Sequence, residues 1–140
     1  MVMLLSATNF PWDIDDAMRR RLEKRIYIPL PSLSDRIAIL SLYLSGVTLA
    51  GDVDFEASAV LMEGYSGSDI RNVCRDAAMM GIRRKIGDLT VDEIKLIPKD
   101  EMNVPMVMDD LRSAIKNVNK TVSSADLIKY EKWVNEYGSC

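Results

Sequence analysis

The apolar positions of this chain change their period near residue 31. Before it they come in short runs. Residues 2–6 form a short apolar run and predict a buried strand. Residues 25–30, Arg-Ile-Tyr-Ile-Pro-Leu, predict a second strand, ended by Pro29 and Pro31. Between them, Pro11 blocks strand continuation, and residues 14–22 predict a short helix capped by Asp13 or a neighbouring acid. Strand, helix and strand at this spacing fit two neighbouring strands of an α/β sheet.

After Pro31 the period is helical throughout. Ser32 or Ser34 opens a helix with Ile37, Leu40 and Leu44 inward, and Gly46 stops it. Residues 54–63 predict a second helix ended by Gly64. Ser66-Gly67-Ser68-Asp69 has capping-box spacing with Asp in place of Glu, and opens a long helix to about residue 86. Its inner stripe is Ile70, Val73, Cys74, Ala77, Gly81 and Ile82, and Gly87 closes it. A helical turn near 91–97 leads into a loop. A helix over 107–118 turns Met108, Leu111, Ile115 and Val118 inward. Ser123 begins a last helix with Leu127, Tyr130, Val134 and Tyr137 on one stripe and Trp133 at its margin. The expected fold is an α/β fragment followed by an all-α helical bundle, mostly helical in sum.

Composition narrows the chemistry. With 48% hydrophobic and 28% charged residues, the chain is too apolar to be disordered and too interrupted by charge to insert in a membrane. A net charge of -3 gives no general attraction to nucleic acid or anionic lipid. No histidine and two cysteines leave no triad, no CxxC and no zinc spacing. Cys74, at helical spacing among apolar residues, is expected to be a buried free thiol. The run Met1–Leu5 is too short for an anchor and lacks the basic flank of a signal peptide. A chain that opens in mid-strand is expected to be a piece of a longer protein, with Met1 an internal methionine.

Two places attract attention. Asn9 follows an apolar strand, where open α/β sheets gather ligands, and an amide can hold an attacking water against a phosphate. The alternative is a turn asparagine bonded to its own backbone. Arg19, Arg20 and Arg21 occupy consecutive helical positions and sweep about 200° around the axis. They cannot all pair with one face, so at least one points outward or across a subunit boundary. Guanidinium there suits a transferring phosphoryl group. The alternatives are a solvated basic helix end or a nucleic-acid patch over residues 19–25. Two other motifs are set aside. Gly46 and Gly51 have phosphate-loop spacing, but Asp52 and Val53 stand where Lys and Ser/Thr are needed. Asp109 and Asp110 imitate a magnesium-binding pair, but Leu111, Ile115 and Val118 place them in the first turn of a helix.

Taken together these segments resemble the AAA ATPases. Ala7-Thr8-Asn9 is similar to the sensor-1 motif. Arg19-Arg20-Arg21 with Ile26-Tyr27-Ile28-Pro29-Leu30-Pro31 is similar to the second region of homology. Glu63-Gly64-Tyr65-Ser66-Gly67-Ser68-Asp69-Ile70 is similar to the nucleotide-facing start of the helical lid. Residues 9–15, 19–25, 72–77 and 130–140 resemble the microtubule-severing and ESCRT-disassembly group, and within it the katanin catalytic subunits.

The resemblance implies roles. Asn9 would sense the terminal phosphate and its attacking water. Arg20 and Arg21 match paired arginine fingers that reach the ATP of a neighbouring protomer, with Arg19 as a third candidate. Gly67 and Ser68 match lid positions near adenine and ribose. It implies domains at 1–31 (end of the ATPase core), 32–120 (lid) and 121–140 (C-terminal helix packing back on the core). It also implies ATP with Mg2+ as cofactors, a homo-hexamer of AAA subunits, and microtubules or tubulin as substrate in the cytoplasm and on the cytoskeleton, with no nucleic-acid partner. The family's phosphate loop, magnesium-binding acids and pore loops have no counterpart in these 140 residues, so the chain by itself is expected not to hydrolyse ATP. The alternatives are a non-catalytic assembly module, a spastin-like or ESCRT-disassembly ATPase, and a nucleic-acid-binding helical domain using residues 19–25 and Arg83-Arg84-Lys85.

Overall fold

The computed structural model describes residues 3–87, 89–98 and 103–139. Its described elements are a 3-10 turn at Pro11–Asp13 and seven helices: α1 (Asp16–Arg21), α2 (Leu33–Leu44), α3 (Phe55–Leu61), α4 (Gly67–Ile86), α5 (Val91–Leu96), α6 (Met108–Asn117) and α7 (Ser124–Tyr137). They fall into two compact units. One is Leu30–Val122; the other joins Met1–Pro29 to Ser123–Cys140.

Most helices of the larger unit start for a reason visible in the sequence. Ser32, Ser66 and Thr90 each accept a hydrogen bond from the backbone N–H three residues on, and the acid at that position accepts from the cap in return. These reciprocal boxes satisfy donors that a helix start otherwise leaves open. α3 begins on Asp54, whose carboxylate accepts from Glu56 N and Ala57 N. The box at Ser66 is the expected one, and Ser32-x-x-Asp35, Thr90-x-x-Glu93 and Ser123-x-x-Asp126 carry the same signal.

α4 is the centre of the larger unit. It packs against α2 and α6, while α3 packs against α2 and α6. Leu40, Leu44, Ala59, Met62, Ile70, Val73, Ala77, Met106, Leu111 and Ala114 are all buried in one cluster. Of the expected inward positions of α2, α4 and α6, all but three lie there or pack against it: Gly81 and Met108 are buried outside the cluster and Ile82 is half-buried, while Cys74 is a buried free thiol. Burial pushes that thiol up to about 11, so at neutral pH it is almost wholly protonated and a poor nucleophile.

Polar groups stitch this core. Arg36, on the inner side of α2 and buried, donates from Nε to Ala59 O at 2.8 Å and from Nη1 to Pro31 O at 2.9 Å. It thereby serves a carbonyl of α3's last turn. The Tyr65 hydroxyl lies 2.8 Å from Val118 O and 3.0 Å from Ile115 O, at the end of α6. Arg84 on α4 pairs with Asp110 on α6 at 3.0 Å. Asp110 also accepts from Val107 N at 3.0 Å, so the acid pair at 109–110 does sit in a helix's first turn.

In the larger unit, Gly64 and Gly81 are required by geometry. Gly64, which follows α3, has φ +78, and a Cβ there would approach Lys120 Nζ at 3.1 Å. Gly81 lies inside α4, where a Cβ would meet Val104 O at 3.1 Å. Glycine at 81 weakens the helix locally but lets the backbone at 104 lie against it.

In the smaller unit the two expected strands form no ladder. Residues 3–6 and 25–29 have no strand assignment, and Val2 lies outside the described residues. Among the described residues the only β pairing is an isolated parallel bridge between Leu49 and Met106 in the larger unit. A strand exists only through a ladder with a neighbour's backbone, and among the described residues neither segment forms one; residues 25–29 have a single backbone bond, from Ser139 N to Arg25 O at 3.2 Å. Their apolar side chains stand open: Leu5 is 91% and Ile28 85% exposed. α1 starts two residues later than expected, because Asp15 and not Asp13 caps it by accepting from Met18 N. α7 carries the expected stripe of half-buried Leu127, Tyr130, Val134 and Tyr137. Trp133 is half-buried with them rather than marginal, its ring 5.8 Å from that of Tyr137.

Gly64→Ala is expected to destabilise the larger unit by about 1–2 kcal/mol, because a left-handed φ is costly for any residue with a Cβ while the Lys120 side chain can move aside. Urea titration of the variant against the parent chain measures this.

Candidate functional site

The sequence-predicted residues divide between the units. Asn9, Arg20 and Arg21 belong to the smaller, Gly67 and Ser68 to the larger.

Asn9 is exposed, in the bend before the 3-10 turn. The turn is held by its neighbour: Thr8 Oγ1 accepts from Phe10 N at 3.0 Å. The Asn9 carbonyl accepts from the Tyr130 hydroxyl at 2.6 Å. Tyr130 stacks in turn on Tyr27 and tilts against Trp12, with centroids at 6.1 and 5.2 Å. The backbone of Asn9 is therefore pinned while no described residue engages its side-chain amide. The turn-asparagine alternative, in which that amide bonds its own backbone, is not what the structure shows.

The three arginines of α1 separate in the same way. Arg19 is half-buried, paired with Asp16, and lies with its guanidinium carbon 4.2 Å from the Tyr137 ring centroid. That contact combines an ion pair with a cation–π interaction. Arg20 and Arg21 are exposed and, among the described residues, their side chains have no partner. Two long cations are thus presented outward beside one that is held.

Gly67 is the first residue of α4. A Cβ built on it would meet nothing within 4 Å, so the backbone there borders open space. Ser68 is exposed and its Oγ lies 2.9 Å from Ser66 Oγ. Beneath them Asp69 is fully buried. Its Oδ2 accepts from Ser66 N at 2.9 Å and Ser66 Oγ at 2.8 Å, and from Thr121 Oγ1 at 3.1 Å and Thr121 N at 3.3 Å. Burial pushes this carboxyl up, but the donors of Ser66 and Thr121 outweigh it and leave it below its ordinary value. The sequence marks Asp69 as a cap but gives no sign of its hold on Thr121, which lies 52 positions away.

Arg25 is a further residue that the sequence pattern hides. Read as one of a basic run, it donates from Nε to Leu22 O at 3.1 Å, from Nη1 to Tyr137 O at 2.8 Å and from Nη2 to Arg19 O at 2.6 Å. The run over 19–25 is consequently no uniform basic surface.

Residues 52–96 match the model of the AAA+ lid domain, and residues 88–138 match that of the Vps4 C terminal oligomerisation domain. The chain thus carries an AAA+ lid domain followed by a Vps4-type C-terminal region. Over 139 residues it is 56% identical to the A-like 1 form of the katanin p60 ATPase-containing protein of Danio rerio, and 55% identical to the A1 form of Strongylocentrotus purpuratus. Those matches take in 99% of this chain but only 28% and 27% of the relatives. The solved AAA domain of FIGL-1 in complex with ADP superposes with a TM-score of 0.81 at 34% identity, covering 95% of this chain and 44% of that one. A chain from a structural study of katanin self-assembly gives 0.76 at 28% identity, over 91% and 45%. The sequence is thus katanin-like along its whole length, and the helical part of the expected fold is that of an AAA+ lid.

The depressed Asp69 carboxyl has a stability consequence. Its folded value lies below the unfolded one, so its contribution is fully present above the ordinary carboxylate range and is lost as pH falls through the lower, folded value. Asp69→Asn is expected to lower stability near neutral pH, with its deficit against the parent shrinking below pH of about 4. Chemical denaturation across pH 3 to 7 checks it, and a deficit independent of pH would contradict it.

Proposed function

We propose that the chain supplies the C-terminal region of a katanin-like AAA+ ATPase that works as a hexamer and couples ATP hydrolysis to microtubule severing on the cytoskeleton. The observation that carries the reading is the 54–56% identity to katanin p60 proteins over 139 residues. Two features of the molecule support it. Arg20 and Arg21 are left unpartnered among the described residues, on a helix whose third arginine is tied down. That is the state required of cations that act on a neighbouring protomer. The Asn9 amide is likewise unengaged by any described residue, on a pinned backbone.

In this reading residues 1–31 end the ATPase core, 32–120 form the lid, and 121–140 provide the C-terminal helix. Asn9 orients the attacking water of its own protomer's site. Arg20 and Arg21 stabilise charge at the neighbour's site. Gly67 and Ser68 border adenine and ribose, where the open space over Gly67 admits a close ligand. ATP with Mg2+ supplies the phosphoryl bond to be broken. In this reading the chain itself supplies neither the phosphate cradle nor the metal ligands.

A second reading keeps the partners and drops the chemistry. Because residues 88–138 match an oligomerisation domain, the chain would bind full-length AAA proteins as an assembly module.

The test exchanges the matching 139 residues of the full-length zebrafish relative for this chain. The chimera is expected to hydrolyse ATP and sever microtubules, and Arg20→Ala or Arg21→Ala within it to lower ATP turnover by on the order of 10³-fold. The chain alone is expected to show no turnover. Turnover by the chain alone, or full activity in both arginine variants, would sink the proposal.

A further inference from the structure

α1 has six residues, too few to hold a helix by propensity. Its placement must come from its ends. At the start, Asp15 accepts from Met18 N at 2.8 Å. At the finish, three donors of the Arg25 guanidinium reach backbone oxygens: Leu22 O, just past the helix, Arg19 O, in its last turn, and Tyr137 O, the last residue of α7. These are orphan carbonyls at the negative ends of two helices, where a cation is favoured. The planar fork of arginine spans them together, whereas a lysine ammonium would not.

The same stretch is fixed a second time. Ser139 Oγ accepts from Arg25 N at 3.1 Å and donates to Glu23 O at 3.1 Å, while Ser139 N donates to Arg25 O at 3.2 Å. Residues 23–25 are thus tied to Ser139 by one backbone bond and two bonds of its hydroxyl, and Arg19 adds its ring contact to Tyr137.

We propose that Arg25 is a positioning residue for Arg20 and Arg21: by clasping the ends of α1 and α7 it sets the direction in which those two free guanidiniums leave the protomer. This rests on the reading of Arg20 and Arg21 as residues that act on a neighbour's nucleotide. It assigns the segment 137–139 a second task, as the splint of the catalytic helix. It also separates the arginines of the basic run into two that act and two, Arg19 and Arg25, that hold.

Hydrogen exchange on the chain itself reads the clasp. In Arg25→Lys, the Arg19 and Leu22 amides, which donate to Asp15 O and Met18 O, are expected to exchange on the order of tenfold faster while α4 amides are unchanged. In the zebrafish chimera the same substitution is expected to lower kcat on the order of 10–100-fold with KM for ATP unchanged, since a misplacement of about 1 Å has that scale of effect. Ser139→Ala, which spares the guanidinium, is expected to move both readouts the same way by less. Unaltered α1 exchange and unaltered kcat in Arg25→Lys would overturn the proposal, as would a rise in KM with kcat intact. If Arg20→Ala and Arg21→Ala leave turnover untouched, the reading of those residues fails by itself, and the exchange data still decide whether Arg25 fixes α1.

Discussion

Everything in the larger unit depends on the first turn of α4 being held by a carboxylate with no contact with solvent. Asp69 is buried, so it must find donors or become neutral. Four donors from Ser66 and Thr121 converge on its Oδ2, while Oδ1 is buried without a described partner. The arrangement commits the start of the central helix and the exit of the chain after α6 to one point. α2, α3 and α6 then have a fixed surface to pack on. A neutral residue of the same shape would cap the helix less well and would release the segment at 121.

The smaller unit solves a related problem with opposite charge. There the groups in need are carbonyls, and a guanidinium collects them. Arg36 does the same at the end of α3. In both units charged side chains withdrawn from solvent serve helix termini, and apolar packing fills the spaces between. The surface cations Arg20 and Arg21 differ in being offered to no described residue of their own chain.

How much of this was legible in the sequence follows from the range of each interaction. The bounds of α4 could be read because Ser66, Asp69 and the stripe from Ile70 to Ala77 are local signals. The alternation at Ile26, Tyr27 and Ile28 was also legible, but a ladder is a property of two segments, and among the described residues no second segment forms one with it. The run 19–25 misled in another way. Its basic residues read as one patch, yet their roles are set by Tyr137 and Ser139, more than a hundred positions away. Asn9, Arg20 and Arg21 drew attention by their position and spacing, and the motif resemblance gave them roles and added Gly67 and Ser68; what the structure adds is which of their side chains are engaged.

The smaller unit is discontinuous in sequence, and that has a kinetic consequence. Its bonds between residues 23–25 and 137–139 close a loop of more than a hundred residues. Loop closure of that length is entropically unfavourable unless the intervening chain has already condensed. During synthesis residues 30–122 can fold as soon as they emerge, whereas α1 must wait for α7. The arginines that would act between protomers are therefore assembled last, after the ribosome has delivered Ser139, and a nascent chain could not present them prematurely to a neighbour.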